Sequence, residues 1–252
     1  MSDDEADPSQ FYTGLIAELY EPLAGGIGAA EPYIKFVRRY GEPALEVCCG
    51  SGRPMLELLD CGLAVEGLDS STDMLALCRT AAAETGVVPV LHHATMQDFD
   101  LARTYQCIFI ANGSITLLLT DEDLCKLLSN VQRHLEPGSA LLVDLDIPNV
   151  AALQSAIGQF KETEVDGVRL RVGMTGLEVS EDQRNLAIEL CYQRIQPDGS
   201  LETVTRIWHR RSWNLDQFSV LLDSAGFSVI ETAAFPRSVV QVIATVSGYR
   251  QV

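Results

Sequence analysis

The amino-acid sequence predicts an α/β fold, a doubly wound and mainly parallel sheet carrying an antiparallel β insertion. Two observations lead there. Strand-like and helix-like segments alternate strictly from about residue 33 to 146, the pattern of a parallel sheet with helices on both faces. That rhythm breaks from about 159 to 212, where turn signals separate runs that read as antiparallel strands, and it resumes afterwards.

Taken in order, "PYIKFVRRY" predicts a helix and "PALEVC" a buried strand. "RPMLELLDCG" is helical, with Pro54 suited to a first turn. "LAVEGLD" is the next strand. "STDMLALCRTAAAETG" is a helix with a Ser71 or Thr72 cap and a Gly86 stop. "VVPVLHH" and "YQCIFIANG" follow as strands, and "DEDLCKLLSNVQRHLEPG" as a capped helix ending at Pro137-Gly138. "SALLVDLDIP" is a further strand. In the insertion, "GVRLRVGMTGLEVS", "LAIELCYQRIQ" and "SLETVTRIWHRRSW" alternate as strands, with "PDGS" at 197–200 as a hairpin signal. The helix "NLDQFSVLLDSAGF" and the strands "SVIETAAF" and "SVVQVIATVSG" close the fold. The expected organisation is an acidic tail over 1–10, an α/β core over 11–158, the β insertion over 159–212 as either a lid over the cleft or a dimer element, and the closing elements of the core over 213–252.

A net charge of −17 on 252 residues repels phosphate backbones, so duplex nucleic acid and anionic membranes are excluded as partners. No apolar run reaches the length that spans a bilayer, and "MSDDEADPSQ" lacks the basic and apolar regions of a secretory signal. The expected compartment is the cytoplasm. The seven cysteines include no CxxC pair and the four histidines no HxxxH spacing, which argues against a metal and for reduced core thiols. Exposed strand edges in the insertion invite pairing with a second copy, and a homodimer is the expected assembly.

The chemistry concentrates in "ALEVCCGSGRPMLELL" (44–59). Gly50 and Gly52 fall where the first strand gives way to a helix. In such a Rossmann-like sheet, ligands sit beyond the carboxyl ends of the strands. Glycines there let the backbone turn sharply and approach a ligand, beside the free N–H groups of a helix start. A plain tight turn is the other reading. The second strand ends at Asp69, where a carboxylate can accept both ribose hydroxyls of a nucleoside, or simply cap the following helix. A dinucleotide loop of the G-x-G-x-x-G kind would need a third glycine where Met55 stands.

Glu46, Cys48, Gly50 and Gly52 in "LEVCCGSGR" resemble the first motif of the class I S-adenosylmethionine-dependent methyltransferases of small molecules. "VEGLDSSTDMLALCR" is similar to that family's second motif. "FIANGSITLLLTDEDLCKLLSNVQRHLEPGSALLVDLDIPN" and "LLDSAGFSV" look like its later strands and helices. The resemblance covers about 10–148 and 213–248. It implies S-adenosyl-L-methionine as cofactor, with Cys48, Gly50 and Gly52 along the methionyl portion and Glu46 orienting the loop or receiving the cofactor's amino group. It further implies Asp69 on the ribose, Ser70 and Met74 beside the adenosine, Thr95, Met96 and Gln97 around the adenine, and Asn112 near the methionyl backbone. Tyr12 and Tyr20 resemble tyrosines that close over the cofactor, or form an amphipathic helix packed on the domain. Two departures stand out: Cys48 sits where the family usually has Gly or Ala, and Thr95 where it commonly has an acid.

Arg53 follows the loop and either pairs with the bound methionine's carboxylate or is an exposed first-turn arginine. His209 is the preferred residue for proton removal, with Tyr12 second, and the surrounding Trp208, Arg210, Arg211 and Trp213 offer cover for a planar or anionic substrate. His92 and His93 are expected on the adenosine side. Asp144 and Asp146 point to opposite faces of their strand, Asp146 nearer the substrate mouth. The implied activity is methyl transfer to nitrogen or oxygen of a small metabolite. A non-catalytic cofactor-binding module for regulation or assembly is the alternative.

Overall fold

The computed structural model describes residues 8–24, 29–235 and 239–246. Most of the expected acidic tail lies outside the described residues. The chain enters through α1 (Leu15–Ala24) and α2 (Glu31–Tyr40). It then alternates β1 (Ala44–Val47), α3 (Met55–Asp60), β2 (Val65–Asp69), α4 (Thr72–Thr85), β3 (Val90–His93), β4 (Tyr105–Ile110), α5 (Asp121–His134) and β5 (Leu135–Asp146). After α6 (Val150–Ala156) come β6 (Phe160–Val165), β7 (Val168–Val179), β8 (Asn185–Ile195) and β9 (Leu201–Arg211). The closing elements are α7 (Leu215–Ser224), β10 (Phe227–Phe235) and β11 (Val239–Val246).

The main sheet has the order β10-β11-β5-β4-β1-β2-β3. Its first five strands in sequence run parallel; β11 is added antiparallel to β5, and β10, antiparallel to β11, runs with the first five. β1 and β2 are buried along their whole length, because helices cover both faces. Successive residues therefore serve different layers. Leu45, Val47, Ile108 and Ile110 pack with α5 and α7 through Leu124, Leu128 and Phe218. Ala44, Cys107 and Phe109 pack with α2, α3 and α4 through Phe36, Val37, Leu58 and Leu75. The same alternation turns Glu46 toward the α3 side, a carboxyl in a layer otherwise built of hydrocarbon.

The second sheet has the order β6-β7-β8-β9, antiparallel throughout. It matches the expected insertion and adds one strand to the three read from the pattern. β6 was not legible because "FKETEV" is an edge strand with charges on one side and little apolar period. The hairpin predicted at 197–200 is present, with Gly199 N donating to the Gln196 carbonyl at 2.9 Å. One boundary differs. α5 ends at His134 rather than at Pro137-Gly138, because the His134 ring takes the Leu101 amide at 2.8 Å and pairs with the Asn130 carbonyl at 2.7 Å. Pro137 and Gly138 fall instead in a register shift of β5 against β4, where a residue without an N–H is tolerated.

α1 joins the two sheets. Ile16, Leu19 and Leu23 pack with Leu170 and Tyr192 of the roof sheet in a cluster of their own. On its other side the Gly14 amide donates to Asp73 of α4 at 2.7 Å.

The Thr120 hydroxyl caps α5 by accepting the Asp123 amide at 3.0 Å. Thr120→Ala is expected to cost about 1 kcal/mol of stability, read as a lower denaturation midpoint in urea with an unchanged slope.

Candidate active site

β1 ends in a loop that the backbone forces into shape. Cys48 (φ 64), Gly50 (φ 52) and Gly52 (φ 100) all adopt left-handed conformations, easy for glycine and strained for a side chain. The two glycines serve different ends. A Cβ on Gly50 would approach the Met74 methyl to 3.3 Å, on the side where the cavity lies. A Cβ on Gly52 would stand 2.7 Å from Leu56 and 2.9 Å from the Cys78 sulfur, so this glycine lets α3 pack on α4.

β1 and β2 pair in parallel with Val47 opposite Leu68, which brings the loop against the tip of β2. There Asp69 accepts the Gly50 amide at 2.8 Å with one carboxylate oxygen and the Ser71 amide at 2.8 Å with the other. A carboxylate has about four lone-pair positions, so acceptor capacity remains after both bonds. Ser71 caps α4 by accepting the Met74 amide at 3.1 Å and donates to the Tyr12 carbonyl. Loop, strand tip, helix start and N-terminal segment are thus one hydrogen-bonded unit.

Above this unit lies a cavity of about 330 Å³. Tyr12, Tyr20, Cys48, Gly50, Arg53, Asp69, Ser70, Met74, Thr95, Met96, Gln97 and Asn112 all border it. Glu46 and Gly52 do not; both lie beneath the loop. The roof sheet contributes Val172, Leu190, Tyr192, Trp208 and Arg210.

The two-residue period of β9 decides which part of "RIWHRRSW" faces inward. Trp208 and Arg210 do. His209 turns away, into a separate depression with Leu119, Glu178 and Leu186. Arg211 donates to the Leu119 carbonyl at 2.7 Å, and Trp213 is buried in the core. His92 pairs with Glu66 at 2.8 Å and His93 with the Ser70 carbonyl at 2.9 Å, neither lining the cavity. Arg53 is paired with Glu21 of α1, which also accepts the Ser51 hydroxyl; Glu21 carried no motif that marked it.

Residues 44–138 match the family model of a methyltransferase domain. Over 147 residues the chain is 34% identical to a dTDP-3-amino-3,6-dideoxy-alpha-D-glucopyranose N,N-dimethyltransferase of Streptomyces fradiae, a match covering 55% of this chain and 56% of that protein. The chain therefore spans little more than half the length of that relative. Its fold superposes on the crystal structure of Streptomyces venezuelae DesVI with a TM-score of 0.73 at 20% identity, covering 92% of this chain and 98% of that one. The S-adenosylmethionine-bound structure of CalS10, an amino pentose methyltransferase of Micromonospora echinaspora, gives 0.65 at 17% identity, covering 98% and 97%. The architecture is that of the class I S-adenosylmethionine-dependent methyltransferases.

Burial sets the protonation states around the cavity. Tyr12 is pushed well above the ordinary phenol range, first by desolvation and then by Tyr20 and Tyr192, with Arg210 pulling the other way. That keeps it a neutral phenol at physiological pH. Asp69 is raised by burial and drawn back by the Ser71 and Gly50 amides. Asp144 faces away from the cavity, where it accepts the Tyr33 hydroxyl and, at 2.9 Å, the amide of Asn112. That bond holds Asn112 at φ 56 on the cavity rim. Asp146 lines the cavity.

Glu46 is fully buried, and neither carboxyl oxygen makes a side-chain hydrogen bond. Desolvation raises it well above the carboxylate range, and the Met55 amide draws it partly back. The native state then holds a proton that the unfolded chain releases above its ordinary value of 4.5. The stability this contributes is full below that pH and is lost as pH rises through the raised native value. Glu46→Gln is expected to melt higher than the parent at pH 8, with the gap closing toward pH 4.5, in thermal scans across that range.

Proposed function

We propose that this protein transfers a methyl group from S-adenosylmethionine to a nitrogen of a small metabolite. The observation that carries this reading is the union of Gly50 and Asp69 at one end of a single cavity, roofed by aromatic side chains. The residues present suit the cofactor. Asp69 has acceptor capacity for ribose hydroxyls beyond the two amides it holds, and a side chain at Gly50 would crowd Met74 where the ligand belongs. The orphaned Glu46 carboxyl, buried under the loop and off the cavity, offers a partner for the loop backbone.

In this reading Asp69 and Ser70 hold the ribose, and Met74, Thr95, Met96 and Gln97 enclose the adenine. The backbone at Cys48 and Gly50, with Asn112, runs along the methionyl chain, where Arg53 meets the carboxylate while tethered to Glu21. Glu46 and Gly52 shape the loop from below. Tyr20 and Tyr12 cover the cofactor, their rings 5.5 Å apart and edge to face. Residues 11–158 and 213–252 act as the binding core, and 159–212 as its roof.

Bound S-adenosylmethionine supplies a methyl group already activated on a sulfonium. The chain's task is to hold an acceptor nitrogen in line with it and exclude water, and positioning of that kind is worth about 7–11 kcal/mol in favourable cases. Tyr12, a neutral phenol, orients the acceptor by hydrogen bonding.

The relative from Streptomyces fradiae is named for an amino sugar, which supports nitrogen as the acceptor. Calorimetric titration is expected to show binding of S-adenosylmethionine and S-adenosylhomocysteine and none of NAD; binding of NAD alone would sink the assignment. Asp69→Ala removes charge-assisted hydrogen bonds worth about 1.5–3 kcal/mol, so S-adenosylhomocysteine should bind about 10- to 100-fold more weakly. In a methyl-transfer assay, Tyr12→Phe is expected to slow turnover by about 2- to 10-fold, and His209→Ala to leave it unchanged. The reverse order of sensitivity would return His209 to the mechanism.

A further inference from the structure

The part of the cavity walled by α1 and the roof sheet is largely apolar. Phe11, Leu19, Leu23, Leu190, Tyr192 and Trp208 line it, and Phe11 stacks on Trp208 at 5.8 Å. Polar groups also reach this part: the Tyr192 hydroxyl and the unpartnered Trp208 Nε1 on the wall itself, with Thr116, Asp146 and Arg210 beside it.

Positive charge is scarce here and already committed. Arg53 and Arg210 are the two cations among the described lining residues. Arg53 is paired with Glu21. Arg210 donates to Asp146 at 2.5 Å and to Thr116 at 3.2 Å, and lies 4.4 Å from the centre of the Trp208 ring. The other cations that the roof turns toward α1 hold the N-terminal segment. Arg206 donates to the carbonyls of Gln10 and Phe11 at 2.7 and 2.8 Å, Arg194 pairs with Glu18, and Lys161 donates to the Leu23 carbonyl. A diphosphate would have to break one of these pairs, on a chain of net charge −17, with no free cation among the described lining residues to receive it.

The negative side of the balance is different. Asp146 gives one oxygen to Arg210, and its other oxygen has no hydrogen-bond partner among the described residues. It borders the apolar wall, where aromatic faces also favour an ammonium.

We propose, building on the methyl-transfer reading above, that the acceptor is a compact apolar amine without a phosphate, its nitrogen anchored by Asp146 and its hydrocarbon body lying between Trp208, Phe11 and the leucines of α1. It differs in this from the dTDP-linked amino sugar for which the Streptomyces fradiae relative is named. The amine enters as an ammonium and loses one proton to solvent. Its lone pair then forms the N–CH₃ bond as the S–CH₃ bond breaks and that electron pair returns to sulfur. The product is the N-methylammonium and the neutral thioether.

The test is a methyl-transfer assay with labelled cofactor on 2-phenylethylamine, cyclohexylmethylamine and a dTDP-linked amino sugar, beside calorimetry of S-adenosylhomocysteine on the same protein. At least one amine should be methylated with a kcat/KM about ten-fold or more above the nucleotide sugar. Asp146→Asn should raise the amine KM by about ten-fold, the loss of one charge-assisted contact, with S-adenosylhomocysteine binding retained. Should that variant not fold, Trp208→Leu should raise the KM for 2-phenylethylamine in the same way. Faster turnover of the nucleotide sugar, or none of either amine, overturns the proposal while retained S-adenosylhomocysteine binding leaves the methyl-transfer reading standing. Failure to bind S-adenosylhomocysteine strikes that reading instead.

Discussion

The Asp69 carboxylate is the joint on which the architecture turns. By accepting the Gly50 and Ser71 amides it ties the β1 loop, the tip of β2 and the start of α4 into one rigid corner. Ser71 extends the joint to the Tyr12 carbonyl, so the N-terminal segment is placed by the same group that fixes the floor of the cavity. A buried carboxylate is costly unless its oxygens are satisfied. Here backbone donors meet part of the requirement and leave acceptor capacity directed at the cavity.

α1 converts an open sheet edge into an enclosed chamber. One side of the helix packs on the roof sheet through Leu19 and Leu23, and Gly14 and Glu21 tether it to the core through Asp73, Ser51 and Arg53. One of those tethers occupies Arg53, a cation that borders the cavity.

Much of this was legible in the chain itself. The helices α4 and α5 and the strands β1, β2 and β4 announce themselves by period, cap and stop, because each is long or buried enough for its pattern to dominate. Gly50 and Asp69 stood out for a physical reason: both mark strand ends that a parallel pairing must bring together. β6 escaped notice because an edge strand needs no apolar alternation. The end of α5 was misplaced because Pro137-Gly138 is a stop signal wherever it occurs, and only the His134 contacts reveal that the helix had already ended. His209 and Arg210 differ by a single step along β9, and strand parity is set by pairing with β8, a long-range fact.

The sequence by itself determined the order of elements, the methyltransferase loop and the acid at the second strand tip, since these rest on local periodicity and on glycines that the backbone demands. Only the tertiary structure decided which charges meet. Arg210 finds Asp146 across 64 residues and Arg53 finds Glu21 on a helix far from its own strand, pairings that no local pattern encodes. Long-range packing chooses partners for charged side chains, and those partners determine which chemistry the cavity can accept.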